Sequence, residues 1–131
     1  MPERCVISAR FRYSGDPVRF GLMMRVDESL TDGYYLQFDP RHQRIEWRSG
    51  LRMRERGGQL FPYAVEMERP CVLRDGHEYL IEVFVDGTQA HMYLDRDYAF
   101  GMRVYDRRPG AVGWYVESGT LEIMRMHIAT L

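Results

Sequence analysis

Lysine and asparagine are missing from this 131-residue chain, so all 18 of its basic residues are Arg. Codons for both absent residues are A-rich. A GC-rich genome therefore accounts for the gap, and an Arg here does not by itself mark an anion site. Without Asn there is no N-glycosylation acceptor. Cysteine is nearly absent too. Cys5 and Cys71 fit no zinc spacing and no disulfide-dense scaffold. They read as small apolar core residues, and sequence alone leaves a bridge between them open. No apolar run approaches the ~18–20 residues of a membrane helix. Met1-Pro2-Glu3-Arg4-Cys5 lacks the basic-then-apolar build of a signal peptide. The expectation is no membrane partner and a cytoplasmic setting. Charge of one sign is also lacking: 19 acidic residues against 18 Arg leave a net charge of −1. That balance argues against nucleic acid, which requires a basic face.

Catalytic and cofactor motifs are missing as well. There is no Gly-x-Ser-x-Gly elbow and no Gly-rich phosphate loop. His42, His77, His91 and His127 share no metal-ligand spacing, so neither a metal nor a cofactor is expected. Asp95-Arg96-Asp97 suggests a calcium loop, but its central Arg opposes a cation. Glu66-Met67-Glu68 places two carboxylates on one side of a strand, at a separation suited to a retaining glycosidase. The following Arg69-Pro70 disfavours a central strand, and a solvated edge is the blander reading.

What is present is turns and alternation. Ser14-Gly15-Asp16-Pro17, Thr31-Asp32-Gly33, Asp39-Pro40, Ser49-Gly50, Gly57-Gly58, Asp75-Gly76, Asp86-Gly87, Pro109-Gly110 and Ser118-Gly119 are turn signals. Between most of them lie short runs in which apolar residues alternate with polar or aromatic ones. These runs are Cys5–Tyr13, Phe20–Asp27, Tyr34–Asp39, Ile45–Arg48, Tyr79–Asp86, Ala90–Asp95, Phe100–Tyr105 and Val112–Glu117. The last run, Leu121–Ile128, breaks its alternation at Ile123, Met124 and Met126, which hints at a bulge. Nothing repeats at helical spacing. The pattern predicts one all-β domain over residues 1–131, a two-sheet antiparallel sandwich whose first and last strands lie close together. Leu51–Gln59 reads as a hairpin tip or mobile loop.

The wet faces of these strands carry Tyr and bidentate groups instead of Lys and Thr. Arg25, Asp27, Tyr35, Gln37, Glu46, Arg48, Tyr93 and Arg103 are the candidate carbohydrate-binding residues, with Tyr105 and Tyr115 on similar positions. Aromatic faces cover sugar C–H patches, and Arg, Asp, Glu and Gln bridge neighbouring hydroxyls. A solvated face with charges paired across strands is the competing reading.

The segment IEVFVDGTQAHMYLDRDYAFGMRVYD, Ile81 to Asp106, resembles the C-terminal β-sandwich of glycoside hydrolase family 32, the invertase, levanase and fructosidase group. A strand ending in Asp86, the Gly87-Thr88 turn, a second strand, and then Arg103-Val104-Tyr105 carry the likeness. Ala111–Ile123 is similar to that family's closing hairpin. Upstream, FGLMMRVDE and GYYLQFDP are similar to concanavalin-A-like sandwiches (jelly rolls), including carbohydrate-binding module family 66. His91 stands where the family often has Glu, and Asp106 where it often has Pro. The family's catalytic propeller motifs do not occur in this chain. The resemblance therefore implies a non-catalytic accessory domain of a longer glycoside hydrolase, binding fructose-containing glycans. Its alternative is a structural domain packed against a catalytic propeller or a second copy in a homodimer.

Overall fold

The computed structural model describes residues 1–28, 33–49, 64–104 and 110–131, apart from the side chains of residues 49 and 64–66. The expected hairpin tip at Leu51–Gln59 lies outside the described residues, as do Tyr105, Asp106 and the turn residues 31–32, 50 and 109. The described elements are ten strands and no helix. They are β1 (Arg4–Ser14), β2 (Arg19–Val26), β3 (Tyr34–Asp39), β4 (Arg44–Ser49) and β5 (Ala64–Pro70) in the first half. The second half holds β6 (Tyr79–Asp86), β7 (Gln89–Leu94), β8 (Asp97–Arg103), β9 (Ala111–Glu117) and β10 (Thr120–Thr130).

Two antiparallel five-stranded sheets form, in the orders β10-β1-β6-β7-β8 and β5-β4-β3-β2-β9. This is the expected all-β sandwich. The first and last strands pair directly, Cys5 opposite Thr130 and Ser14 opposite Thr120. The irregularity read at Met124 is a bulge: Arg10 faces Arg125 while Phe11 faces Ile123, so Met124 has no partner across the ladder. β5 did not emerge from alternation. It is an edge strand closed by Pro70, where a missing N–H costs no ladder bond.

Period-two alternation builds the core. Cys5, Ile7, Ala9, Phe11 and Tyr13 point inward from β1, and Phe20, Leu22 and Met24 meet them from β2. Phe11 is the hub, with ring centroids of Phe20, Phe38, Tyr79 and Trp114 at 5.6, 5.3, 5.4 and 5.4 Å. Cys5 is buried, Cys71 is half-buried, and both are free thiols. The β9–β10 hairpin turns on Ser118 and Gly119, both at positive φ (62° and 69°), as a right-twisted two-residue turn requires.

Burial, reinforced by Tyr79, Asp75 and Cys71, pushes the Tyr13 phenol up to about 12 from its ordinary 10.0. The neutral phenol is therefore the form the fold holds. Its contribution is intact below pH 10.0 and is lost as pH rises towards about 12. In urea titrations the unfolding midpoint is expected to fall across that window. Tyr13→Phe is expected to flatten the fall. An equal fall in parent and variant would remove Tyr13 from the account.

Candidate functional site

The outer face of the β5-β4-β3-β2-β9 sheet gathers four of the candidate binding residues. Register sets them in rows. Gly21, Gln37, Glu46 and Glu68 lie opposite one another across β2 to β5, with Tyr115 beside Gly21 on β9. In the next row Met23, Tyr35 and Arg48 line up, with Gly113 beside Met23.

Glu46 is the centre of this face and only 1% exposed. Arg48 Nε donates to its Oε2 at 2.7 Å, and Gln37 Nε2 donates to the same oxygen at 3.1 Å. Arg44 Nε lies 2.8 Å from Oε1. That contact is an ion pair without an aligned hydrogen bond, because the buried Arg44 N–H finds no well-directed acceptor among the described residues. Arg44 also approaches Asp39 at 3.4 Å and Glu68 at 3.7 Å. Asp39 is held by the backbone N–H and Nδ1 of His42, at 3.1 and 2.9 Å. A buried carboxylate thus fixes two guanidiniums whose side chains remain 38% and 22% exposed. Fixed forks of this kind suit paired hydroxyls.

Gly21 explains how the far end of the network closes. Tyr115 on β9 crosses over β2 and donates its hydroxyl to Gln37 Oε1 on β3, at 2.8 Å. A Cβ at Gly21 would meet the Tyr115 hydroxyl at 2.8 Å and would press on the Leu36 carbonyl. Tyr115 therefore orients the Gln37 amide, leaving Nε2 for Glu46. The Tyr35 ring packs edge-on against Tyr115 at 6.0 Å. Gly21→Ala is expected to cost about 1–3 kcal/mol and to break the Tyr115–Gln37 bond. Chemical denaturation measures the first. Loss of Tyr115 ring shifts on Gln37→Ala in the parent, but not in the Gly21 variant, reads the second.

The other candidates lie elsewhere. Arg25 is not presented outward: it is 5% exposed and has φ of 52° at a break in the β2–β9 register between Met23 and Val26. That irregularity turns its side chain off the sheet face. Its guanidinium donates to the carbonyls of Gly87, Glu3 and Val104 at 3.1, 3.4 and 3.4 Å, tying together one end of the opposite sheet. Asp27 follows β2 and is half-buried. Tyr35 sits on the expected face but is only 8% exposed. Tyr93 and Arg103 belong to the outer face of the other sheet, on β7 and β8. There Tyr93 packs against Phe84 and Tyr98 at 5.6 and 5.4 Å.

Glu68 is exposed on edge strand β5. Glu66 is skipped at the irregularity in the β4–β5 register, and its side chain lies outside the described residues. Sequence reasoning missed Arg44, which shares the alternation of Glu46 and Arg48 one step further back. It also missed Asp39 as a site group, although Asp39 faces Arg44 across the β3–β4 hairpin. No group of three or more His, Cys, Asp or Glu among the described residues could hold a metal ion.

No family model matches the chain, and no curated protein matches it. Its fold is similar to several solved structures. A carbohydrate-binding module, CBM66 from Bacillus subtilis, shares 16% identity over 98% of this chain and 76% of that one, with a TM-score of 0.77. The Caenorhabditis elegans galectin LEC-6 shares 11% over 97% of this chain and 83% of its own, with a TM-score of 0.71. Sheep galectin-11, solved with glycerol, shares 6% over 98% and 92%, with a TM-score of 0.72. At these identities the likeness establishes a common two-sheet β-sandwich fold.

Proposed function

We propose that this chain is a non-catalytic carbohydrate-binding sandwich, that fructose-containing glycans are its ligand class, and that the outer face of β5-β4-β3-β2-β9 is its binding face. One observation carries the reading: Arg44 and Arg48 are clamped on buried Glu46, itself braced by Gln37 and Tyr115. Such a preformed array of donors and acceptors loses little freedom on meeting a polyol. The fold shared with a carbohydrate-binding module and with galectins supports the class. The resemblance of Ile81–Asp106 to the family 32 fructosidase sandwich supports the choice of sugar and a place beside a catalytic propeller.

Affinity electrophoresis and calorimetry against levan, inulin, sucrose and fructose test this. Binding is expected, and Arg48→Ala is expected to weaken it about tenfold or more. Tyr93→Ala and Arg103→Ala, on the other sheet, are expected to leave it unchanged. Retention on no glycan, or equal loss from both sheets, contradicts the proposal.

A second reading, a packing domain, has its own support. Val116 on β9 and Met126 and Ile128 on β10 point inward by register, yet are 42%, 37% and 38% exposed. They sit on the two edge strands β9 and β10, where a propeller surface or a second copy would cover them. A monomeric molar mass by light scattering, together with glycan binding, favours the first reading over a homodimer.

A further inference from the structure

A cavity of about 350 Å³ opens at the opposite edge of the sandwich, between the end of β5 and the β7–β8 hairpin. It lies off the polar sheet face and shares none of the clamp residues described above. From its geometry we infer a second ligand site, one that takes a single neutral sugar ring.

The walls are already in place. Gln43 staples the segment after β5: its Oε1 accepts the Leu73 N–H at 2.8 Å, and its Nε2 donates to the Leu73 carbonyl at 3.0 Å. The Arg74 N–H donates to the Tyr79 hydroxyl at 2.7 Å. On the facing wall, Asp95 accepts the Leu80 N–H at 2.8 Å through Oδ1 and pairs with His77 Nε2 at 2.8 Å through Oδ2. Asp95 and Arg96 form the centre of the β7–β8 turn, at φ of 50° and 69° with no Gly between them. A two-residue hairpin turn of right-handed twist requires left-handed backbone at both of these positions.

Chemistry selects the ligand. Arg69 and Arg74 line the cavity together with Asp95 and Asp97, a balance of charge that favours neither an anion nor a cation. Asp95 is already occupied by His77 and Leu80, which leaves exposed Asp97 as acceptor and the guanidiniums as donors. Leu94, Ala99 and Val72 supply an apolar wall. An apolar C–H face with a hydroxylated edge, in a cavity at the small end of the ligand-site range, describes one sugar ring. Cys71 also lines the cavity, but burial and then the charge of Asp95 push its thiol up. Among the described residues its sulfur has a long 3.8 Å contact to the Val72 carbonyl, and with a raised thiol it contributes a wall and no nucleophile.

Amide chemical-shift mapping of the full chain, titrated with D-fructose, D-glucose and D-galactose, tests the site. Saturable shifts are expected in residues 71–77 and 94–99 for at least one sugar, and they should persist in Arg48→Ala. Val72→Trp, at a lip position 72% exposed, is expected to weaken them about tenfold, and Asp97→Asn to weaken them measurably. D-Glucuronate should bind no better than D-glucose. Absence of shifts at these amides for all three sugars, or unchanged affinity in both variants with wild-type spectra elsewhere, overturns the site. Because Arg48→Ala removes only the sheet-face site, failure there and failure here are read separately.

Discussion

Glu46→Ala is expected to lower the unfolding free energy by about 3 kcal/mol, the low end for breaking a buried ion pair. The carboxylate is 1% exposed and is the shared partner of Arg44, Arg48 and Gln37. Its removal leaves Arg44 with the longer contacts to Asp39 and Glu68 and takes from Arg48 its 2.7 Å acceptor. Because their side chains reach solvent, water recovers part of the loss, which sets the low end of the range. Glu46→Gln keeps the shape and one acceptor, and is expected to cost less than half as much. Urea denaturation at neutral pH measures both. An alanine variant as stable as the parent would show that Glu46 is not the anchor of this face.

Phe11→Ala is the other large effect, about 3–5 kcal/mol. Phe11 is fully buried and touches aromatic rings contributed by both sheets: Tyr79 from its own, and Phe20, Phe38 and Trp114 from the opposite one. Its loss opens a void at the centre of the interface between sheets, where neighbours anchored on strands cannot collapse. Phe11→Leu, which fills most of that volume, is expected to recover more than half. Equal stability of the alanine variant and the parent would contradict the hub role. Unlike the change at Glu46, this one is expected to leave the polar face chemically intact, so binding per folded molecule should persist.

The strands were legible because most have one dry face and one wet one. Ile81, Val83 and Val85 against Glu82 and Phe84 can be read in one direction only. β5 did not show clean alternation, but Glu66-Met67-Glu68 followed by Pro70 read as a solvated edge, and β5 is an edge strand where that proline is harmless. For the site, alternation placed Gln37, Glu46 and Arg48 on one face correctly. It could not show that β3 and β4 share a sheet apart from β7 and β8, so Tyr93 and Arg103 were grouped with residues they never meet.

Arg25 failed for a local reason. One register break with a positive φ overturns a period of two, and no residue type in Met23–Val26 announces it. Gly21 is the reverse case. As a residue it looks like a defect in a strand, and its purpose is visible only once Tyr115 is seen lying across it. Arg44 was within reach of the same alternation that found Glu46 and Arg48, had the strand been started one residue earlier.

The measurement that bears most directly on the binding face is amide chemical-shift mapping with a short fructo-oligosaccharide. Saturable shifts centred on Gln37, Arg44, Glu46, Arg48 and Tyr115, abolished by Arg48→Ala, are the predicted result. Shifts confined to the surface around Tyr93 and Arg103, or no shifts on the Glu46 face at saturating sugar, would contradict it.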